Sequence, residues 1–424
     1  MGYCGNARLS EEALECWQSS RCDFPGVGRQ WQEREQQERE NLLDGCLGRI
    51  EGELGRVPRS SAEAEEAVAR LTTSAAALAT CALGIEDSYV DSLLREGFSA
   101  MGVELARRAR ELDARVSMAD VLQACRNAWT AGALQLLFGR EMRLTPALFA
   151  YSMLYPYSDN YLDDARVTPE AKLLFSERFR DRLAGENVAA GNSREEIIWR
   201  LVGLIESQYP RPAYPGVYES LLQIHRAQQD SILQARGGDV PVLKLSVTKG
   251  GASVLADAFL AAGSLFEEEA SFAFQWGVLL QFSDDLQDFR EDSKNGSLTL
   301  FTKTARDGEP LDALTSRTFH FGANVLAKVD GLACGGNILR ELLTRSSRSL
   351  LIRSAACAAE FYTPSYVRKL EAYSPFRFEF LRSRERRFAR RQKSVRRLFE
   401  LFAGGESGGN DKTLTRTACF SAYS

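Results

Sequence analysis

Gly277-Val278-Leu279-Leu280-Gln281-Phe282-Ser283-Asp284-Asp285-Leu286-Gln287-Asp288-Phe289-Arg290-Glu291-Asp292 runs from an apolar approach into a cluster of carboxylates. On a helix, positions 284, 288 and 292 repeat every four residues. Asp284, Asp288 and Asp292 then share one face, which also carries Gln281 and Gly277. Like charges at this spacing repel one another and weaken the helix. A cation held between them removes that cost. Hard carboxylate oxygens one turn apart suit Mg²⁺, which keeps several waters and takes its remaining ligands from phosphate oxygens. The alternative is a solvated acidic face, the usual meaning of a charge run.

A second acidic cluster favours the metal. Asp159-Asn160-Tyr161-Leu162-Asp163-Asp164 again sets two carboxylates, Asp159 and Asp163, four residues apart. It too closes an apolar, aromatic run, residues 148–157. Two such helices facing each other make a funnel with a carboxylate rim and an apolar interior. That funnel suits a molecule with a diphosphate head and a hydrocarbon tail.

With these residues on the page, a family resemblance is visible. Gly277-x-x-x-Gln281-x-x-Asp284-Asp285-x-x-Asp288 resembles the second aspartate-rich motif of the trans-prenyl diphosphate synthases. The first cluster looks like their first motif, with Asn160 where a second aspartate is usual. Lys249-Gly250-Gly251-Ala252 resembles their Lys-Thr-Gly-Ala segment, whose lysine touches the substrate diphosphate. The second motif is also similar to the metal triad of class I terpene cyclases, with aspartate at all three ligand places: Asp284, Asp288 and Asp292. The resemblance covers residues 118–328. It implies the class I isoprenoid synthase fold, an all-α bundle with a central cavity. It further implies catalytic Asp159, Asp163, Asp284 and Asp288, and three Mg²⁺ ions for which Mn²⁺ can substitute. The implied substrate is a prenyl diphosphate.

Composition agrees with an enzyme of this size. The chain has 424 residues, is 44% hydrophobic and carries a formal net charge of -4. It can bury a large core, and nothing in its overall charge points to nucleic acid. Nine cysteines stand singly, without zinc spacing, and their odd number argues against a disulfide framework. No apolar signal core opens the chain and no membrane-length apolar run follows, so a reduced cytoplasm is expected. His225 and His320 lie far apart, which disfavours a histidine metal site or a Ser-His-Asp triad.

Helical periods recur from residue 31 onwards, and no run of alternating strands is evident, so an all-α bundle is expected. Residues 1–60 read as a polar, partly helical extension, with 1–30 loosely ordered. Residues 61–403 form the helical catalytic domain, and 404–424 a disordered tail. Ser60 with Glu63 forms a candidate capping box, Ser117 a helix N-cap, and Thr168-Pro169 a helix start. Residues 87–115 read as a helix bent near Gly97 and Gly102. Pro156 should kink the first acidic helix. The Gly250-Gly251 pair allows either a close backbone approach or a break. A single helix is expected over 265–291. Residues 376–399 form a basic helix, read as a solvated face, a peripheral membrane contact or a lid. A homodimer is one arrangement the sequence leaves open.

The choice of reaction rests on basic residues. Lys249 by resemblance, and Arg236, Lys244 and Arg290 by position, are candidates to hold the diphosphate. For Arg236 and Lys244 a surface ion pair is an equal reading. Tyr151, Tyr155 and Gln281 are placed along the hydrocarbon pocket, whereas Phe274 and Trp276 read as core. Chain-elongating synthases bind a second diphosphate through a Gly-Lys-x-x-Arg-Pro segment and an arginine pair after the first motif. Neither is present here; only Arg107-Arg108 and Arg166 lie nearby. A class I terpene cyclase is therefore expected. A chain-elongating synthase, a head-to-head squalene- or phytoene-synthase-like enzyme, and a non-catalytic synthase-like partner are the alternatives.

Overall fold

The computed structural model describes residues 6–54, 56, 61–84, 93–164, 166–235, 241–334 and 336–390. They form an all-helical protein, with no strand among the described residues. The helices are α1 (Asn6–Ser19), α2 (Glu33–Leu54), α3 (Ser61–Leu83), a π-helical turn (Leu93–Ser99), α4 (Ala100–Leu112), α5 (Met118–Leu137) and α6 (Pro146–Asp163). Next come α7 (Pro169–Ala184), α8 (Ser193–Gln208), α9 (Pro215–Ala235), α10 (Val242–Ala262), α11 (Glu267–Gln287) and α12 (Phe289–Asn295). The chain continues through α13 (Leu300–Arg306), α14 (Asp312–Ala327), α15 (Asn337–Cys357), α16 (Pro364–Ala372) and α17 (Phe378–Arg390). No helix among the described residues is long and apolar enough to cross a membrane.

Local chemistry explains several helix starts. At α5, the Ser117 hydroxyl accepts from the Asp120 amide at 3.1 Å, and the Asp120 carboxylate accepts from the Ser117 amide at 3.3 Å. These reciprocal bonds satisfy two amides that lack a partner inside the helix. Thr145 and Thr168 cap α6 and α7, each with proline as the first helical residue. Pro156 lies inside α6 and the helix runs on through it to Asp163. Gly97 falls in the π-helical turn, so the helix expected over 87–115 changes geometry there. Gly102 is accommodated within unbroken α4. Ser60, and residues 87–92 of that expected helix, lie outside the described residues.

One helix organises the rest. On α10, Leu245, Val247, Ala252, Val254, Leu255, Ala256, Ala258, Phe259 and Leu260 are all buried. A helix apolar on every side has neighbours on every side. Here they are α9, α11, α5, α6 and α1. α11 in turn contacts α14 and α15, while α6 packs on α5 and α8.

Two expectations are corrected. Most of residues 1–30 were expected to be loosely ordered, yet 6–19 form α1. Leu9, Ala13 and Trp17 on one face of it are buried in the main core. The Trp17 ring lies 4.3 Å from Phe282 and 5.6 Å from Phe321. The spacing i, i+4, i+8 carries this face, with glycine and cysteine around it hiding the period. The single helix expected over 265–291 is two helices, α11 and α12, joined at Asp288 with φ −89° and ψ 6°. Helical bonding nevertheless crosses the joint: the Asp288 amide donates to Asp284 at 2.8 Å and the Asp292 amide to Asp288 at 2.9 Å.

The basic stretch 376–399 is only partly described, with 391–399 outside the described residues along with the tail 404–424. Arg377 and Arg384 within it are engaged by α2. Arg377 binds Glu40 on α2 through its backbone amide and its guanidinium. Arg384 pairs with Asp44.

Candidate functional site

The site is built on the crossing of α10 and α11. A Cβ added to Gly277 would fall 2.2 Å from the Gly250 carbonyl oxygen, and one added to Gly250 would fall 2.5 Å from the Gln281 Cβ. Gly251 meets the Phe274 ring in the same way, at 2.3 Å. These glycines thus serve a close backbone approach and leave α10 unbroken. The crossing sets Lys249 within electrostatic reach of Asp285 and Asp292.

The acidic row follows directly. Asp284 is exposed, whereas Asp288 and Asp292 are partly covered. Burial pushes the Asp288 carboxyl up to about 8, aided by the charges of Asp284 and Asp292. Asp292 is shifted upward by burial and by Asp284, against a hydrogen bond to Ser297. Asp285, which the spacing argument left aside, turns inward. It accepts from Gln281 Nε2 at 2.7 Å and from Ser246 Oγ at 3.4 Å, and burial lifts it to about 7.

α5 links this row to the first acidic cluster. Its Asp120 accepts from Asn160 Nδ2 at 2.7 Å, and its Arg126 reaches Asp284 at 4.0 Å. Asp159, the carboxylate that ends the aromatic run of α6, accepts from the Ser158 hydroxyl at 3.2 Å. The side chain of Asp163 lies outside the described residues.

Two cavities open beside these carboxylates. The larger, of about 430 Å³, is bounded by Arg126, Asp284, Gln281 and Gln287 on its polar side. Its other walls are Phe98, Trp129, Tyr155, Trp276, Leu280, Leu342, Leu343 and Leu350. The smaller, of about 100 Å³, is lined by Asp159, Lys249, Tyr151, Leu154, Phe179 and His225. Tyr155, Ser253 and Gln281 border both. Tyr151 lines the smaller cavity and Tyr155 borders both. The Tyr151 hydroxyl donates to the Ser253 carbonyl at 3.3 Å. Phe274 is core, but Trp276, expected to be core alone, also walls the larger cavity.

The remaining basic candidates divide. Lys249 lines the smaller cavity. Lys244 is exposed near the start of α10. Arg236 lies outside the described residues. Arg290 is turned away from the cavities: its Nε donates to the Cys357 carbonyl at 2.8 Å and its guanidinium pairs with Glu360. Two residues from both Asp288 and Asp292, Arg290 falls on the opposite side of a helical turn from the acidic row.

Four residues escaped sequence reasoning: Arg126, Asn127, His225 and Asp257. Asn127 Nδ2 donates to Asp257 Oδ1 at 2.9 Å and to Ser152 Oγ at 3.3 Å, tying α5, α10 and α6 together. Burial holds the Asp257 carboxyl well above the usual carboxylate range. A lone carboxylate inside the apolar run Val254-Leu255-Ala256-Asp257-Ala258-Phe259 was the available signal. His225 lies beside Ser176 Oγ at 3.3 Å, edge-on to Phe179, and burial pulls it down to about 4.

Among the described residues, no three His, Cys, Asp or Glu side chains converge into a closed metal cage. Octahedral Mg²⁺ bound by one or two carboxylates plus water and phosphate oxygens requires no such cage. The donor set fits that open mode of binding, with Asp284 exposed and Asp288 and Asp292 partly covered beside it. No protein-family model, curated protein or solved structure matches the chain.

Proposed function

We propose that the protein is a Mg²⁺-dependent class I terpene synthase with the class I isoprenoid synthase fold, ionising a prenyl diphosphate to a terpene and inorganic diphosphate. One observation carries this reading. The acidic ends of α6 and α11 both contact α5, Asn160 through Asp120 and Asp284 through Arg126, and Asp159 and Asp284 border cavities whose other walls are aromatic and aliphatic. A charged head and a greasy tail on one molecule match that division.

The residues divide the work. Asp159, Asp284 and Asp288, with Asp163 and Asp292, would hold Mg²⁺, which neutralises charge developing on the departing diphosphate. Lys249 and Arg126 supply positive charge from the protein side, Arg126 by leaving its loose contact with Asp284. Tyr155, Trp129 and Trp276 offer aromatic faces to the allylic cation in a space with little water.

Cyclisation is favoured over chain elongation because the arginines near the first motif are already neutralised. Arg107 and Arg108 bind Glu104 at 2.8 and 2.6 Å, and Arg166 binds Asp164 at 2.8 Å. A second diphosphate would have to displace these partners. The test is incubation in Mg²⁺ with geranyl, farnesyl, geranylgeranyl and geranylfarnesyl diphosphates, with and without labelled isopentenyl diphosphate. Release of inorganic diphosphate with an unlabelled hydrocarbon or alcohol product is expected. Label in a longer prenyl diphosphate would make the protein an elongating synthase. No diphosphate release from any substrate would remove the enzymatic reading.

A further inference from the structure

We infer that Asp257 is a general acid acting on the hydrocarbon inside the larger cavity, separate from the metal-binding carboxylates. This rests on the terpene synthase reading. Asp257 is 1% exposed, yet it borders the larger cavity together with Asn127, Ser253, Val254 and Trp276. It comes from α10, whereas the acidic row comes from α11 and α12.

The hydrogen bonding assigns its two oxygens different roles. Asn127 Nδ2 is a donor only, so Oδ1, 2.9 Å away, is the acceptor. Among the described residues no hydrogen-bond partner is seen for Oδ2. A neutral carboxyl therefore carries its proton on Oδ2. Burial pushes the group toward its neutral form, since desolvation opposes its charge; the hydrogen bond from Asn127 works the other way. Asn127 is itself fixed by its second bond, to Ser152 Oγ at 3.3 Å, so the carboxyl plane is held against α5 and α6.

The step balances without any outside reagent. Ionisation breaks the carbon–oxygen bond and the electron pair leaves with diphosphate. The first cyclic cation gives a proton to the departed diphosphate and becomes a neutral olefin. Asp257 Oδ2–H then protonates that olefin: the O–H bond breaks, a C–H bond forms, and a second cation faces the Asp257 carboxylate. The carboxylate takes a proton from a carbon next to that cation, forming a new double bond and restoring the acid. The net change is an isomerisation of the hydrocarbon, with diphosphate as the only other product.

The experiment is turnover of the full chain in D₂O with Mg²⁺ and the accepted prenyl diphosphate, with mass analysis of the terpene and a parallel diphosphate assay. The Asp257 proton exchanges with solvent between turnovers, so the wild-type product should carry one deuterium bonded to carbon. Asp257→Asn preserves the shape and the bond to Asn127 but has no acidic proton. It should turn over more slowly, release the neutral olefin as its main product and incorporate no deuterium. Asp257→Glu, which restores an acid, should recover deuterium incorporation. Thermal melts of the variants show whether each is folded. Diphosphate release without deuterium in the wild-type product, or equal deuterium in wild type and Asp257→Asn, would overturn the acid and leave the synthase reading standing. Absence of diphosphate release from every substrate would overturn both.

Discussion

Gly277 and Gly250 meet backbone to backbone where α11 crosses α10: a methyl group on Gly277 would sit 2.2 Å from the Gly250 carbonyl oxygen. The contact fixes more than packing. Lys249 precedes Gly250, and Gln281 lies one turn beyond Gly277, so the approach sets how closely the lysine and the acidic row face each other. Fold and site are coupled at this crossing.

Gly277→Ala therefore tests both. The nearest atom is rigid backbone, so the helices must separate for a methyl to fit. Overpacking of this kind costs about 1–3 kcal/mol, occasionally more. We expect a lower melting temperature and a loss of diphosphate release in the protein that remains folded. Gly203, which has open space around it, is the control: Gly203→Ala should leave both unchanged. A Gly277→Ala protein as stable and active as wild type would show that the crossing tolerates a wider spacing.

The acidic residues should separate stability from activity. Asp284 is half-exposed, with its side chain 53% accessible, and holds Arg126 only loosely. Asp284→Ala should leave the fold intact while cutting diphosphate release roughly a hundredfold or more, as expected when transition-state charge loses its metal. Asp159→Ala and Asp288→Ala should act in the same direction. EDTA should abolish turnover, and Mg²⁺ or Mn²⁺ should restore it. Asp292→Ala should also be impaired if the cyclase-like triad is used. Near-normal rates in all four variants would identify these carboxylates as solvated surface charge.

Much of this arrangement was legible because it depends on local spacing. The four-residue repeat Asp284-Asp288-Asp292, the start of α6 at Pro146 and the cap at Ser117 each need only a few neighbouring residues to be read. What depends on distant partners was not legible. The Gly250-Gly251 pair announced a close approach, but nothing local named Gly277 and Phe274 as the groups being approached. Arg290 sits beside the acidic row in sequence, yet two residues from Asp288 it lies on the opposite side and faces Glu360, a partner far along the chain. Leu9, Ala13 and Trp17 had helical spacing, but only their burial against α11 and α14 reveals why α1 forms. Asp257 was passed over because its partner, Asn127, is far away in the chain.

Against the opposite trend of Asp285 and Asp288, which burial raises to about 7 and about 8, a contribution to stability that falls on the acid side should come from His225. Burial pulls its folded value down to about 4, below the 6.5 of a free imidazole. Between these values the unfolded chain binds a proton that the folded protein refuses. The His225 contribution to stability therefore falls as pH drops from about 6.5 to about 4, by at most on the order of 3 kcal/mol, and levels off below. His225→Gln retains a hydrogen-bonding side chain beside Ser176 without titrating in this range. Denaturant melts across these pH values should show the stability of the variant rising relative to wild type as pH falls from about 6.5 to about 4. Parallel profiles would mean that His225 is protonated in the folded protein.

Tyr155 is the partition between the two cavities. It borders both, stands one turn before Asp159 on α6 and is 40% exposed. Removing its ring should join the larger cavity to the smaller one and extend the space open to a hydrocarbon chain. Because the ring is not buried core, Tyr155→Ala should cost less than the ~3–5 kcal/mol typical of emptying a packed aromatic site. Its substrate preference should shift toward prenyl diphosphates with one more isoprene unit, and its products toward larger or less cyclised skeletons. Tyr151 provides the contrast. Its hydroxyl is bonded to the Ser253 carbonyl at 3.3 Å and it lines only the smaller cavity, so Tyr151→Ala should disturb stability more and chain length less. Both variants are profiled against the same panel of prenyl diphosphates, with thermal melts alongside. An unchanged preference in a folded, active Tyr155→Ala protein would mean that the chain never reaches this wall, and that the tail runs instead between α11 and α15, past Leu342 and Leu350.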